Sequence, residues 1–158
     1  MRKNISKLKN DFNLEVYVEP CEAVVTESGY LVSTVLDVVN NQKQTAILDT
    51  SALCHMPDVL EMPYQPDIAF PAIGNNVKHN YILAGISCLA GDIIGEYRFN
   101  SAIHAGDKIV FSDMGAYTFS KQSYFNGINQ PSIVLYDKIH GFRIAKQFDY
   151  FDYEYNYI

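Results

Sequence analysis

The chain has 158 residues, of which 48% are hydrophobic and 19% charged; it is too apolar for a disordered chain and long enough for one domain with a sizeable core. Twelve basic against eighteen acidic residues leave a net charge of −6, which argues against nucleic acid as a partner and favours cationic ones. No 18-residue uncharged apolar run and no apolar stretch behind Met1 occur, so neither a membrane span nor a signal peptide is expected and a cytoplasmic home follows.

Residues 2–12 carry Ile5, Leu8 and Phe12 at helical spacing among lysines, which predicts one short amphipathic helix. The segment LEVYV (14–18) reads as an apolar strand stopped by Pro20. YLVSTVLDVV (30–39) and TAILDTSA (45–52) read as a hairpin across Asn40 and Asn41. Four prolines between Pro57 and Pro71 exclude a regular helix or central strand and predict an irregular excursion over 54–74, the kind of long loop that carries function. Beyond it lie 81–97, a strand over 108–120 after the turn HAGD (104–107), and a strand over 132–137. The tail from Gly141 is so rich in Phe, Tyr and Ile that it is expected to pack on something. Short strands punctuated by glycine and proline predict a mainly β chain, a barrel or sandwich.

Phosphate-binding glycine loops, HExxH and GxSxG are all absent. Three cysteines at 21, 54 and 88 without CxxC spacing argue against a disulfide framework or zinc site. What remains is a set of polar residues beside strand ends. Glu19 and Glu22 flank Pro20 and Cys21, and read either as carboxylates aimed into a cleft or as solvated turn residues. Asp49 and Asp58 bracket Cys54 and His55, an arrangement for acid–base work or, more plainly, a turn aspartate and a surface histidine. Cys88, in the turn SCLAGD that ends in Asp92, is an exposed proton donor or a small buried hydrophobe. Tyr117 follows Gly115 and Ala116, small residues that let a ligand approach and leave the phenol free to donate, although a strand tyrosine most often packs.

The runs VYVEPCEAVV (16–25), LDTSALCHMPDVLEMPY (48–64), SCLAGD (87–92), GDKIVFSDMGAYT (106–118) and FNGINQPSIVLYD (125–137) together resemble the C-terminal portion of the carboxynorspermidine and carboxyspermidine decarboxylases. These are a polyamine-forming branch of the pyridoxal-phosphate decarboxylases with the alanine-racemase-like fold. The resemblance implies a C-terminal antiparallel β-barrel domain over 21–158, preceded in 1–20 by the last helix and strand of a (β/α)₈ barrel missing from this chain. It implies a homodimer, pyridoxal 5′-phosphate in the complete enzyme, and a carboxynorspermidine or carboxyspermidine substrate. Position by position, Glu19 matches the partner of the pyridine nitrogen, Tyr117 the phosphate-binding tyrosine, Glu22 and Asp58 the substrate-binding acids, and Cys88 the proton donor offered to the neighbouring subunit. None of the nine lysines stands in a context resembling the lysine that carries the cofactor, so the chain alone is expected to be inactive. Cys21 stands where the family shows glycine, a change expected to strain the turn by about 1 kcal/mol or to shift Glu22. A non-catalytic β-barrel binding module, a relic of the family, is the alternative.

Overall fold

Inward-facing apolar residues at every second position build the sheet. In this computed structural model, which describes residues 2–71 and 78–156, β1 (Leu31–Asn41) turns at Gln42 into β2 (Lys43–Leu48). β3 (Ile68–Phe70), β4 (His79–Ala84), β5 (Ile93–Phe99) and β6 (Lys108–Phe111) complete a six-stranded sheet in the order β3-β6-β1-β2-β4-β5. Its inner face packs Val35, Leu48, Leu83, Ile109, Phe99 and Phe111, all essentially inaccessible. Tyr97 lies between Phe99 and Phe111 with ring centroids 6.4 and 6.5 Å away, and its hydroxyl donates to the Pro66 carbonyl at 2.7 Å. That bond allows a phenol in the core. β7 (Ile133–Asp137) and β8 (Gly141–Lys146) form a separate hairpin.

Among the described residues six short α-helices accompany these strands: α1 (Arg2–Phe12), α2 (Cys21–Val25), α3 (Ala52–His55), α4 (Asp58–Glu61), α5 (Tyr117–Ser120) and α6 (Tyr150–Glu154). Among the described residues no helix is long and apolar enough to cross a membrane.

The mainly β class and the strands over 30–39, 45–50 and 132–137 agree with the sequence reading. Other expectations need correction. Residues 14–18 form no strand: Leu14, Tyr17 and Val18 are half or more exposed and find no ladder among the described residues. The 108–120 strand ends at Phe111, because Asp113 takes a left-handed φ of 57° and α5 begins at Tyr117. The hairpin turns one residue past the asparagines, where Gln42 adopts φ 63°. The proline-rich excursion holds one turn of helix, α4, because Pro57 sits at its N-cap, where a missing N–H costs nothing; its last residues, 72–74, lie outside the described residues. β2 and β4 pair in parallel, so the sheet is mixed, and among the described residues no ladder joins β3 to β5 to close a barrel. Cys21 does not sit in a left-handed turn: it opens α2 behind Pro20, in a conformation any residue adopts, and the expected strain at this position is absent.

The turn before β1 is pinned to the segment before α5. Met114 N–H donates to the Gly29 carbonyl at 2.9 Å, Glu27 N–H to Asp113 Oδ1 at 2.7 Å, and a Cβ on Gly29 would lie 2.6 Å from the Gly115 Cα. Neither backbone can yield without breaking these bonds. Gly29→Ala is therefore expected to destabilise the chain by about 1–3 kcal/mol, read as a lower urea midpoint at constant slope; an unchanged midpoint would contradict the backbone contact.

Candidate active site

Three of the motifs singled out in the sequence meet at one end of the sheet. Asp92, 3% exposed, has no cationic partner among the described residues; its Oδ1 accepts from Ala52 N–H at 2.7 Å and Leu53 N–H at 3.3 Å, and its Oδ2 from Ser87 N–H at 3.0 Å. The first two are orphan donors at the start of α3, so the carboxylate both caps that helix and folds the 85–92 loop back onto it. Gly85 permits this, since a Cβ there would collide with the Asp92 carboxylate. Cys88 stands exposed on the loop so formed.

His55, 2% exposed, ties in the third loop. Its Nδ1 accepts from Ser51 N–H at 3.1 Å and lies 2.8 Å from the Thr50 hydroxyl, which leaves Nε2–H to donate to the Asn129 carbonyl at 3.0 Å. That pattern is the neutral ring, and burial pushes its pKa below the ordinary value despite the opposing pull of the Asn129 carbonyl and of Asp92 and Asp49. Ser123 N–H donates to the Cys54 carbonyl at 2.9 Å. The 123–129 segment is thereby held against α3, and Asn126, at φ 57°, extends its Nδ2 to 2.9 Å from Cys88 Sγ.

A second focus is an open cleft of about 380 Å³ lined by Glu22, Tyr64, Asp67, Ser112, Asp113 and Ala116, among others. Three carboxylates give it a negative wall. Burial first, then the charges of Asp58 and Glu22, raise the Tyr64 phenol above its ordinary pKa, so both carboxylates act on one ring. Tyr117, half exposed, opens α5 immediately after Ala116. Beside it Lys121 Nζ bridges Asp58 Oδ1 and Glu61 Oε2, each at 2.5 Å. Thr118 is buried, and its hydroxyl finds no partner among the described residues.

Of the residues expected from sequence, Glu22 lines the cleft, while Asp58 and Tyr117 stand beside it. Glu19, on the exposed stretch between α1 and α2, and Cys88, on the β4–β5 loop, are not among its lining residues. The surface histidine is corrected to a buried one, because the 129 carbonyl and the Ser51 and Thr50 groups satisfy both ring nitrogens. Asp49 is a latch across the β1–β2 bulge, accepting from Ser33 Oγ and Thr34 N–H at 2.7 Å each. Sequence reasoning missed Asn126 and Lys121. Asn126 had a signal, since Asn-Gly is the pair that accepts left-handed backbone; Lys121 had none.

The pyridoxal-dependent decarboxylase C-terminal sheet domain family matches residues 22–115. The carboxynorspermidine/carboxyspermidine decarboxylase of Campylobacter jejuni is 41% identical over 97% of this chain and 44% of its own length. The carboxyaminopropylagmatine decarboxylase of Synechocystis is 40% identical over 89% of this chain and 37% of its own. The crystal structure of the Campylobacter jejuni carboxynorspermidine decarboxylase complexed with norspermidine superposes with a TM-score of 0.82 at 37% identity, covering 98% of this chain and 45% of that one. This chain thus spans less than half the length of these relatives.

Two substitutions test the geometry. His55→Gln leaves buried donors and acceptors mismatched and is expected to cost about 1–3 kcal/mol at pH 7.5. Because the folded pKa of His55 lies below its unfolded value near 6.5, the unfolded state binds the proton first, so stability falls as pH drops below that value. Melting curves between about pH 7.5 and 5.5 should show this fall in the parent and a smaller one in the variant; equal slopes would contradict a buried neutral ring. Thr118→Val removes an unsatisfied hydroxyl at constant shape and is expected to leave the isolated chain as stable or slightly more so, whereas a loss beyond about 1 kcal/mol would show that the hydroxyl has a partner.

Proposed function

We propose, because this chain belongs to the pyridoxal-dependent decarboxylases as their C-terminal sheet domain, that it completes the active site of a carboxynorspermidine or carboxyspermidine decarboxylase. The observation that carries the reading is the acidic cleft: Glu22, Asp67 and Asp113 line it and Asp58 stands beside it, a charge arrangement suited to a polyamine with several ammonium groups. Residues 1–20 belong in this reading to the edge of a (β/α)₈ barrel and 21–158 to the sheet domain.

The residues present fit the part of the cofactor site assigned to them. Tyr117 offers an exposed phenol behind two small residues, with the unpartnered Thr118 hydroxyl next to it, and Glu19 offers a solvent-facing carboxylate. When bound, pyridoxal 5′-phosphate supplies the electron sink for loss of carbon dioxide. Tyr117 would donate to its phosphate and Glu19 would pair with the ring nitrogen and favour its protonated form. Glu22 and Asp58 bind the substrate's ammonium groups and orient the chain of methylenes. Cys88 is the donor that returns a proton to the substrate carbon, its Sγ positioned by the Asn126 amide, which donates to it; its place outside the cleft fits donation into the site of a second copy.

The uncovered surface supports a partner. Tyr136, Ile139, Phe142 and Ile144 on the β7–β8 hairpin are 63–87% exposed, and two strands alone are marginal in water. The aromatic tail packs only in part: Tyr153 meets Tyr124 edge-on at 6.0 Å and Asn129 Nδ2 holds the Phe148 carbonyl at 3.0 Å, while Tyr155 stays 85% exposed.

Mixing this chain with a separately produced barrel domain that carries the cofactor lysine should restore carbon dioxide release from carboxynorspermidine. A stable complex without turnover would favour the non-catalytic binding module instead. In the active complex Cys88→Ala should lower kcat far more than it raises KM, and Asp58→Ala should raise KM roughly ten- to hundredfold, the loss of about 1.5–3 kcal/mol for one charged hydrogen bond. Mixed dimers of Cys88→Ala with Glu19→Ala chains should regain part of the activity through one intact site; dimers that stay inactive after verified exchange would place Cys88 in its own subunit's site or outside catalysis.

A further inference from the structure

Lys121 follows the last residue of α5 and carries its ammonium to Asp58 on one side and Glu61 on the other, 2.5 Å from each, and 5.9 Å from the centre of the Tyr117 ring. Two carboxylates beside an aromatic face form a seat for an alkylammonium ion. Here the chain fills that seat with its own, since a lysine side chain ends in the same aminoalkyl group as a polyamine arm. Among the described residues Lys121 is the one side chain paired with Asp58.

We infer that Lys121 is a specificity-determining residue, a tethered ammonium that occupies the Asp58 carboxylate in the free chain and that a polyamine ammonium must displace. The inference rests on Asp58 as a substrate contact. The side chains of Lys121, Asp58 and Glu61 are 38%, 16% and 57% exposed, so the ammonium reaches water on its Glu61 side, where an ion pair is weak, and it can swing away from the less exposed Asp58 carboxylate. The exchange is also selective. Asp58, Glu61 and Lys121 together carry one net negative charge, which admits one added ammonium; without Lys121 the seat carries two and attracts cations indiscriminately. Glu22, which lines the neighbouring cleft, is then left to take a second ammonium further along the same ligand. Length discrimination follows, because a monoamine can meet only one of the two carboxylates.

Lys121→Gln keeps the reach and polarity of the side chain and removes the charge, while Lys121→Arg keeps the charge. Isothermal titration of the full chain with norspermidine is expected to give about two- to fivefold tighter binding for Lys121→Gln, the upper range that one exposed ion pair commands, parent-like affinity for Lys121→Arg, and roughly ten- to hundredfold weaker binding for Asp58→Asn. Propylamine, titrated in parallel, should gain more from Lys121→Gln than norspermidine does, so that preference for the triamine falls. Equal or weaker norspermidine binding by Lys121→Gln would overturn the competitor role while leaving Asp58 as a polyamine contact. Absent binding by every form, or binding indifferent to Asp58→Asn, would instead remove Asp58 as the ammonium site and the inference with it.

Discussion

The arrangement around Cys88 depends on one buried carboxylate. Asp92 faces no cation among the described residues, and its charge is met by the N–H groups of Ala52, Leu53 and Ser87. A carboxylate removed from water without such donors would cost several kcal/mol, so loop 85–92 and the start of α3 fold together or not at all. Gly85 leaves the space that the carboxylate fills. From this knot the chain reaches outward: α3 presents His55 and Cys54 to the 123–129 segment, which returns Asn126 to Cys88. An exposed thiol thus stands on a loop held by buried and part-buried contacts, the usual way a loop residue gains a fixed position.

The cleft follows a different rule. Its carboxylates stand at the surface, on α2 and the turns beside β3 and β6, and the last of them, Asp113, is held by the contacts between residues 27–29 and 113–115. A rigid thiol next to a buried knot and an open, negative cleft suit different steps: proton transfer requires geometry, whereas capture of a flexible polycation requires charge.

The strands legible in the sequence are those whose partners lie within it. Leu31, Ser33 and Val35 alternate inward against β6 and β2, and alternation is what a sequence displays best. LEVYV has the same composition, yet its apolar residues remain exposed, because nothing in the described chain pairs with them. Tyr117 reads as a strand residue since FSDMGAY continues the apolar run of β6; the break is a left-handed Asp113, which leaves no hydrophobic trace. His55 and Asp92 could be named from sequence but not assigned, because each has, besides its local partners, backbone partners 39 to 74 positions away. The parallel β2–β4 pair was hidden for a similar reason: local pattern carries no strand direction.

The most direct measurement is a crystal structure of the chain reassembled with its barrel domain and soaked with norspermidine. The account predicts amine nitrogens within about 3 Å of the Glu22 and Asp58 carboxylates, with Cys88 contributed from the second copy. A polyamine bound elsewhere, with both carboxylates facing only solvent, would contradict it.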